Sequence, residues 1–239
     1  MTRTLEETLA WAGDGAAHLR GLMSRMGDDA FAAKSGLPGW SRAHVLTHVA
    51  RNADGMINLL TWARTGVRTP AYPSVDARNA DIDAGAARPP AEIREDVIDS
   101  SDRLAQVVRA MPEQAWSARI ENVQGAEITA TDIPWVRARE MWIHAVDLDV
   151  GASFADLPAP MLVELMADVV RIVGAHEDCP PLRLVATDAD RIWTVGTGEA
   201  AGEVRGPSSA LAAWAMGRSR GKDLRDPAGR KPPVLPRWL

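Results

Sequence analysis

The sequence predicts an α+β protein in which a four-helix bundle precedes a small α/β domain. The first observation is that four segments before residue 150 carry apolar residues at steps of three and four, the spacing of one helix face. The second is a change of pattern after Gly151 to a helix, three short β-like runs and a final helix. We therefore expect a bundle over residues 1–152 and a second domain over residues 153–239.

The first two predicted helices span residues 4–27 and about 42–65. The first has an apolar face of leucine, alanine and methionine side chains, and the sequence LPGW interrupts the chain after it. Ser41 supplies a side-chain oxygen of the kind that caps a helix N-terminus, so the second helix should begin directly after it. Its apolar positions are Val45, Leu46, Val49, Met56 and Leu60.

The connection to the third helix is rich in turn-forming residues. The sequence TGVRTPAYPS predicts a loop, and residues 78–87 show only a weak apolar pattern. Pro89 and Pro90 then suit the start of a third helix, because proline is tolerated in a first helical turn. This helix should end before Pro112.

Residues 117–130 are compatible with a small hairpin around Gln124 and Gly125. Asp132 has the character of an N-cap, and Pro134 falls in the first turn of a fourth helix that should continue to about Asp149.

The second domain should contain a helix near residues 158–175, strands in LRLVA, RIWTV and GEVRG, and a last helix that starts at Pro207 and Ser208. The tail RDPAGRKPPVLPRWL is rich in proline and predicts no regular structure.

Composition excludes several classes of protein. The 239 residues carry a net charge of −5, which offers no basic face for nucleic acid. No apolar run reaches 18 residues, and acidic residues interrupt the N-terminal segment, so neither a transmembrane helix nor a signal peptide is expected. The single cysteine, Cys179, excludes an intramolecular disulfide and suits the cytosol.

Two pairs of residues have the spacing of metal ligands. Glu140 and His144 are four apart and share one helix face, as do His44 and His48 near the start of the second helix. Facing helices of a bundle can aim such side chains at one interior point, and two histidines with one carboxylate form a zinc set with an open position. Either pair alone also arises by chance in helices, and spacing does not decide which three of the four groups bind.

Other motifs give weaker indications. The sequence contains no G-x-S-x-G elbow, no phosphate-binding loop and no H-E-x-x-H motif. Cys179 lies in the loop HEDCPPL without a nearby histidine, and Arg218 at the end of a helix is compatible with a simple interaction with the helix dipole. Nine tryptophans fit either packing or a pocket lining.

The chain also resembles a known family over nearly its whole length. The segments GWSRAHVLTHVARNADGMINLLTWARTGVRTPAY and WVRAREMWIHAVDLD are similar to the second and fourth helices of the mycothiol-dependent maleylpyruvate isomerases, a branch of the DinB-like metal-binding bundles. The similarity continues through DARNADIDAGA and WAMGR to the terminal RWL, and R-E-x-W-I-H-A-V-D is a pattern specific to the family. The resemblance implies a DinB-like bundle followed by a small α/β domain.

The resemblance also implies roles for individual residues. It assigns the metal to His48, Glu140 and His144, and makes His44 either a residue of the substrate pocket or one that supports the metal ligands. The arginine after the glycine of the last helix, Arg218, would be catalytic, and Arg78 would lie near the pocket and contact substrate.

The implied reaction converts maleylpyruvate to fumarylpyruvate, a step of gentisate degradation, with Zn²⁺ and mycothiol as cofactors. A thiolate would add to the conjugated double bond, and rotation and elimination would then give the trans isomer. Arg218 would bind a carboxylate of the substrate through its planar guanidinium. The expected partners are a small unsaturated dicarboxylate and a low-molecular-weight thiol. Two alternatives stay open: a mycothiol S-transferase of the same superfamily, and a non-catalytic zinc-binding module such as a regulator of transcription.

Overall fold

The computed structural model describes residues 3–238, so Met1, Thr2 and Leu239 lie outside the described part of the chain. The described residues form two compact units, which divide between Ala152 and Ser153. The first unit is mainly helical and the second combines two helices with a three-stranded sheet. The predicted α+β fold class is confirmed.

Four long helices build the first unit: α1 (Leu5–Ser24), α2 (Arg42–Thr65), α4 (Pro90–Arg109) and α5 (Ile133–Asp147). Helix α1 packs along α5, and α2 packs along both α4 and α5. Ser41 caps α2 as predicted, because its hydroxyl accepts a hydrogen bond from the His44 backbone N–H. Among residues 3–238, no helix combines the length and apolar character that crossing a membrane requires.

A short helix that the sequence pattern did not predict lies between α2 and α4. Helix α3 (Val75–Ala86) begins after Ser74, whose hydroxyl accepts from the Ala77 N–H. Only Ile82 and Gly85 of this helix are buried, so it has almost no apolar face for a periodicity to reveal. Gly85 lies against the Thr47 side chain of α2, where a Cβ atom would clash, and glycine thus lets α3 pack closely on α2.

A small hairpin precedes α5, as predicted. Strands β1 (Arg119–Glu121) and β2 (Glu127–Thr129) pair antiparallel, with Ile120 opposite Ile128. Gly125 adopts a φ of 77°, which explains the glycine in this turn.

Asp132 occupies the N-cap position of α5, as predicted. Asp132 precedes α5, but its carboxylate makes no capping hydrogen bond to that helix. Its Oδ2 atom instead accepts from the backbone N–H of Thr129 at 3.0 Å and from the Thr129 hydroxyl at 2.8 Å. The aspartate therefore closes a short 3₁₀ turn over Ala130–Asp132, which continues directly into α5.

The second unit begins with α6 (Ala159–Val173) and ends its regular structure with α7 (Ser208–Ala215). Between them lie β3 (Leu182–Ala186), β4 (Ile192–Val195) and β5 (Gly202–Gly206). The strand order is β4-β3-β5, and β3 pairs antiparallel with β4 and parallel with β5. In the described part of the tail after α7, Arg225 forms an isolated bridge with Arg205 and no helix or strand follows, in agreement with the predicted irregularity.

Candidate metal centre

Two facing helices bring His48, Glu140 and His144 together in the interior of the first unit. His48 lies on α2, and Glu140 and His144 lie one turn apart on α5. Their potential ligand atoms all lie within 4.8 Å of one another. The apolar residues beside these ligands on both helices belong to one core, and their burial determines which faces of the two helices meet. These neighbours are Val45, Leu46, Val49, Met141 and Ala145.

The donor atoms are close enough together for one ion to contact all three. Glu140 Oε2 lies 2.8 Å from His48 Nε2 and 3.2 Å from His144 Nε2. Metal–ligand bonds of about 2.0–2.2 Å in a tetrahedral zinc site place neighbouring donor atoms about 3.3 Å apart. Two imidazoles and one carboxylate also form a donor set that zinc accepts while one position stays open. The residues therefore fit a divalent metal such as zinc.

Asp147 supports this arrangement from behind. Its side chain is buried, and its Oδ2 atom lies 2.9 Å from His144 Nδ1. A carboxylate in this position fixes the proton on Nδ1 and turns the Nε2 lone pair towards the other two ligands. We did not predict this role from the sequence, although the three-residue spacing from His144 and the final D of R-E-x-W-I-H-A-V-D contained the signal.

Arg78 of α3 contacts the opposite histidine. Its Nη2 atom lies 2.9 Å from His48 Nδ1, and its guanidinium carbon lies 5.8 Å from the centroid of the Tyr72 ring. A guanidinium can only donate hydrogen bonds, so His48 Nδ1 accepts, and Nε2 of the neutral ring carries the proton that it donates to Glu140. Arg78 therefore lies close to the candidate metal ligands within the first unit, as the resemblance implied.

The charges of the three central side chains are strongly coupled. Burial opposes a charge on His144, but its hydrogen bonds to Asp147 and Glu140 outweigh burial and raise its pKa to about 9. Burial alone would raise the pKa of Glu140, yet hydrogen bonds from His144 and His48 hold it well below its usual value. Burial lowers the pKa of His48, so His48 is the neutral one of the two histidines.

A second buried cation lies one turn before Glu140 and was not predicted. Arg137 is buried and donates to the Val49 carbonyl oxygen at 2.9 Å, to Asn52 Oδ1 at 2.8 Å and to Ser101 Oγ at 3.2 Å. Burial lowers its pKa to about 10, which still leaves it charged at neutral pH. Its charge favours the ionised form of Glu140, and the ionised carboxylate is the form that binds a metal ion.

The pKa of His144 predicts how metal affinity depends on pH. A metal ion must displace the proton of His144, so the apparent Kd for zinc should fall about tenfold per pH unit as the pH rises towards 9. The same raised pKa stabilises the metal-free fold fully below pH 6.5 and ceases to do so as the pH rises through about 9. Zinc competition titrations between pH 6.5 and 8.5 would measure the slope, and an affinity independent of pH would contradict this charge assignment.

His44, the remaining member of the two predicted pairs, lies outside the cluster of potential ligands. Nδ1 of His44 lies 2.6 Å from the Ser41 hydroxyl, where it completes the N-terminal cap of α2, and its Nε2 lies 3.8 Å from Asp83 Oδ1. The centroid of the Trp40 ring lies 6.3 Å from the centroid of the His44 ring and 5.5 Å from that of the His48 ring. A contact of His44 with substrate stays a prediction.

Arg218 belongs to the second unit and lies three residues after the end of α7. Gly217 ends that helix with a φ of 73°, and the Arg218 N–H donates to the Ala213 carbonyl oxygen at 2.8 Å, a frequent way to end a helix. Its guanidinium donates to the Met216 carbonyl oxygen at 3.0 Å. The catalytic role implied for Arg218 stays a prediction.

Comparison with known proteins identifies the family. The family model described as the mycothiol maleylpyruvate isomerase N-terminal domain matches residues 12–149. A crystal structure of the mycothiol-dependent maleylpyruvate isomerase shares 34% identity over 100% of both chains, with a TM-score of 0.92. The chain belongs to this family. A histidine-to-alanine mutant of the isomerase matches equally well, at 33% identity and a TM-score of 0.92 over the full length of both chains.

A more distant structure supports the fold of the bundle alone. YfiT from Bacillus subtilis, described as a probable metal-dependent hydrolase with an unusual four-helix bundle topology, is 13% identical. The alignment covers 62% of this chain and 88% of YfiT, with a TM-score of 0.50. No curated protein sequence matches significantly. Together the comparisons support an isomerase with the fold of the mycothiol-dependent enzymes.

Proposed function

We propose that this protein isomerises maleylpyruvate to fumarylpyruvate, as a step of gentisate degradation, with mycothiol and a zinc ion bound by His48, Glu140 and His144. The observation that supports this most is the convergence of two imidazole nitrogens and one carboxylate oxygen within 4.8 Å, in a chain that belongs to the isomerase family. Such a ligand set leaves room for one further ligand.

Isomerisation about a double bond requires the π bond to be lost for a moment, and a nucleophile that adds and leaves again achieves this. When bound, zinc would lower the pKa of a coordinated thiol, and mycothiol would supply that thiol as the nucleophile. The protein groups around the ligands then have separate tasks. Asp147 holds His144 in the orientation that binding requires, and Arg137 favours a charged Glu140.

Arg78 has the properties of a carboxylate-binding group in this scheme. A neutral His48 that held an ion would carry its ring proton on Nδ1, the atom that here accepts from Arg78. The hydrogen bond between Arg78 and His48 would then be lost, and the guanidinium would be available to bind a carboxylate of the substrate bidentately. Arg218 and His44 are the further groups that we propose to act on the substrate.

A mycothiol S-transferase would use the same ligands and the same thiol, but it would consume mycothiol and release a thioether. An isomerase returns the thiol unchanged, so the stoichiometry of mycothiol consumption separates the two reactions. A non-catalytic zinc module would bind metal and turn over neither substrate. The match over the full length of the isomerase, including the second unit, favours isomerisation.

We expect turnover of maleylpyruvate to require added thiol and to survive the change Cys179→Ser. Cys179 is buried, and burial together with the nearby Asp178 raises the pKa of its thiol, so little nucleophilic thiolate forms there. The absorbance of maleylpyruvate should change only when mycothiol is present, equally fast in the wild type and in Cys179→Ser. Full turnover in thiol-free buffer would contradict the proposal.

A further inference from the structure

One pocket of the first unit is lined by polar and aromatic residues and includes none of the candidate metal ligands. It has a volume of about 290 Å³ and lies between the segment that joins α2 to α3 and the β1–β2 hairpin. Trp62 and Tyr72 contribute aromatic surface, and Arg68, Glu121 and Asn122 contribute charged and polar groups. The pocket is too polar for a purely apolar ligand, and it presents donors, acceptors and ring faces together.

The polar groups are arranged in neighbouring positions. Arg68 Nη2 donates to Glu121 Oε2 at 2.8 Å, and the Arg68 guanidinium carbon lies 5.5 Å from the centroid of the Trp62 ring. Asn122 is fixed because its Oδ1 atom accepts from the backbone N–H groups of Gln124 and Ala126, both at 2.9 Å. The second Glu121 oxygen can accept from one hydroxyl of a ligand, while the remaining Arg68 N–H groups donate to the next hydroxyl.

Adjacent hydroxyls on a saturated ring match this pattern. Each hydroxyl of such a ring can donate to a carboxylate and accept from a guanidinium, and the C–H face of the ring can pack against an aromatic side chain. A flat aromatic or an aliphatic ligand would leave the Arg68 and Glu121 groups without new hydrogen bonds. The chemistry of the pocket thus favours a polyhydroxylated ring.

The pocket adjoins the metal centre through two side chains. Tyr72 lines the pocket, its ring lies 5.8 Å from the Arg78 guanidinium carbon, and Arg78 contacts His48 at 2.9 Å. Tyr72 is half-buried, and burial raises the pKa of its hydroxyl, so it faces the site as a neutral group. Tyr72 thus connects this pocket to the contact between Arg78 and His48.

We propose that this pocket binds the hydroxyl-rich rings of the thiol cofactor, which in mycothiol form a glucosamine–inositol disaccharide. The inference rests on the proposed function, which places the sulfur of the same molecule at the metal. It assigns Arg68, Glu121 and Trp62 to recognition of the cofactor's rings.

Binding of the thiol-free glucosaminyl-inositol disaccharide to the full-length, zinc-loaded protein tests the pocket directly. We expect saturable binding in ligand-observed NMR, and a Kd that rises about tenfold or more in Glu121→Gln and in Arg68→Met, since each loses a charge-assisted hydrogen bond. Both side chains are substantially exposed, at 44% and 64%, so neither change threatens the fold. Maltose, a disaccharide with other ring geometry, should not compete.

Glu127→Gln provides a matched control. Glu127 lies on the same hairpin and is paired with Arg119, but it does not line the pocket, so this variant should bind the disaccharide like the wild type. Absence of saturable binding to the wild type, equal weakening by Glu127→Gln, or equal binding of maltose would overturn the inference.

An isomerase assay with intact mycothiol, run on the same preparation, separates this inference from the proposed function. Turnover without disaccharide binding would remove the pocket assignment and leave the reaction intact. Specific disaccharide binding without turnover would support the pocket and remove the reaction.

Discussion

Replacing either histidine ligand by alanine is expected to abolish stoichiometric zinc binding and, with it, turnover. Loss of a supporting group behind a metal ligand costs about 10–100-fold in metal affinity, and loss of a ligand itself should exceed that range. His48→Ala and His144→Ala should therefore each raise the Kd for zinc more than about a hundredfold. Metal analysis after gel filtration and zinc competition titrations would measure the loss.

Two matched variants bracket this result. His44→Ala removes a histidine from the same face of α2 and should retain about one zinc per chain, because its ring lies at the helix cap and outside the ligand cluster. Asp147→Asn keeps all three ligands but weakens the hydrogen bond to His144, so we expect an intermediate loss of about 10–100-fold. If His44→Ala emptied the site and His48→Ala did not, the ligand assignment would be wrong.

Arg218→Lys is expected to lower turnover roughly a hundredfold or more, an effect of about 2–4 kcal/mol. If Arg218 binds a substrate carboxylate, lysine keeps the charge but loses the planar fork that allows two parallel hydrogen bonds. If the side chain only complements the C-terminal end of α7, the change should cost no more than about 0.3–1 kcal/mol of stability and leave turnover unaltered. Steady-state kinetics with maleylpyruvate and saturating mycothiol distinguish the two.

The control for this variant is Arg220→Lys, a change at an exposed arginine two residues further along the chain. Arg220→Lys should be as active as the wild type, and both variants should retain full zinc content and an unchanged Tm, since neither residue is a metal ligand. A fully active Arg218→Lys enzyme would show that the second unit does not supply this catalytic group.

Much of the fold could be predicted because local signals and tertiary packing agree. Ser41 precedes an apolar helical pattern and caps α2, and Gly125 provides the left-handed turn of the hairpin. Helix α3 shows the opposite case, because it buries only Ile82 and Gly85 and therefore lacks a periodic apolar face. Asp132 occupies the predicted N-cap position of α5, but a capping residue type does not determine which backbone N–H groups its side chain will bind.

The site was predictable to the extent that it depends on spacing within a helix. Glu140 and His144 are four residues apart, and that spacing alone places them on one face. The pairing of this face with His48, the support from Asp147 and the contact of Arg78 with His48 depend on how helices pack across the unit. Arg137 could not be identified because its hydrogen-bond partners lie on α2 and α4, far away in sequence.

Titration of zinc into metal-free protein, with mycothiol and maleylpyruvate present, tests the central claim most directly. The account predicts that fumarylpyruvate formation rises in proportion to added zinc, stops at about one equivalent per chain and leaves the mycothiol concentration unchanged. It also predicts no turnover when either zinc or mycothiol is omitted. Isomerisation by the metal-free protein, or consumption of one mycothiol per molecule of substrate, would contradict it.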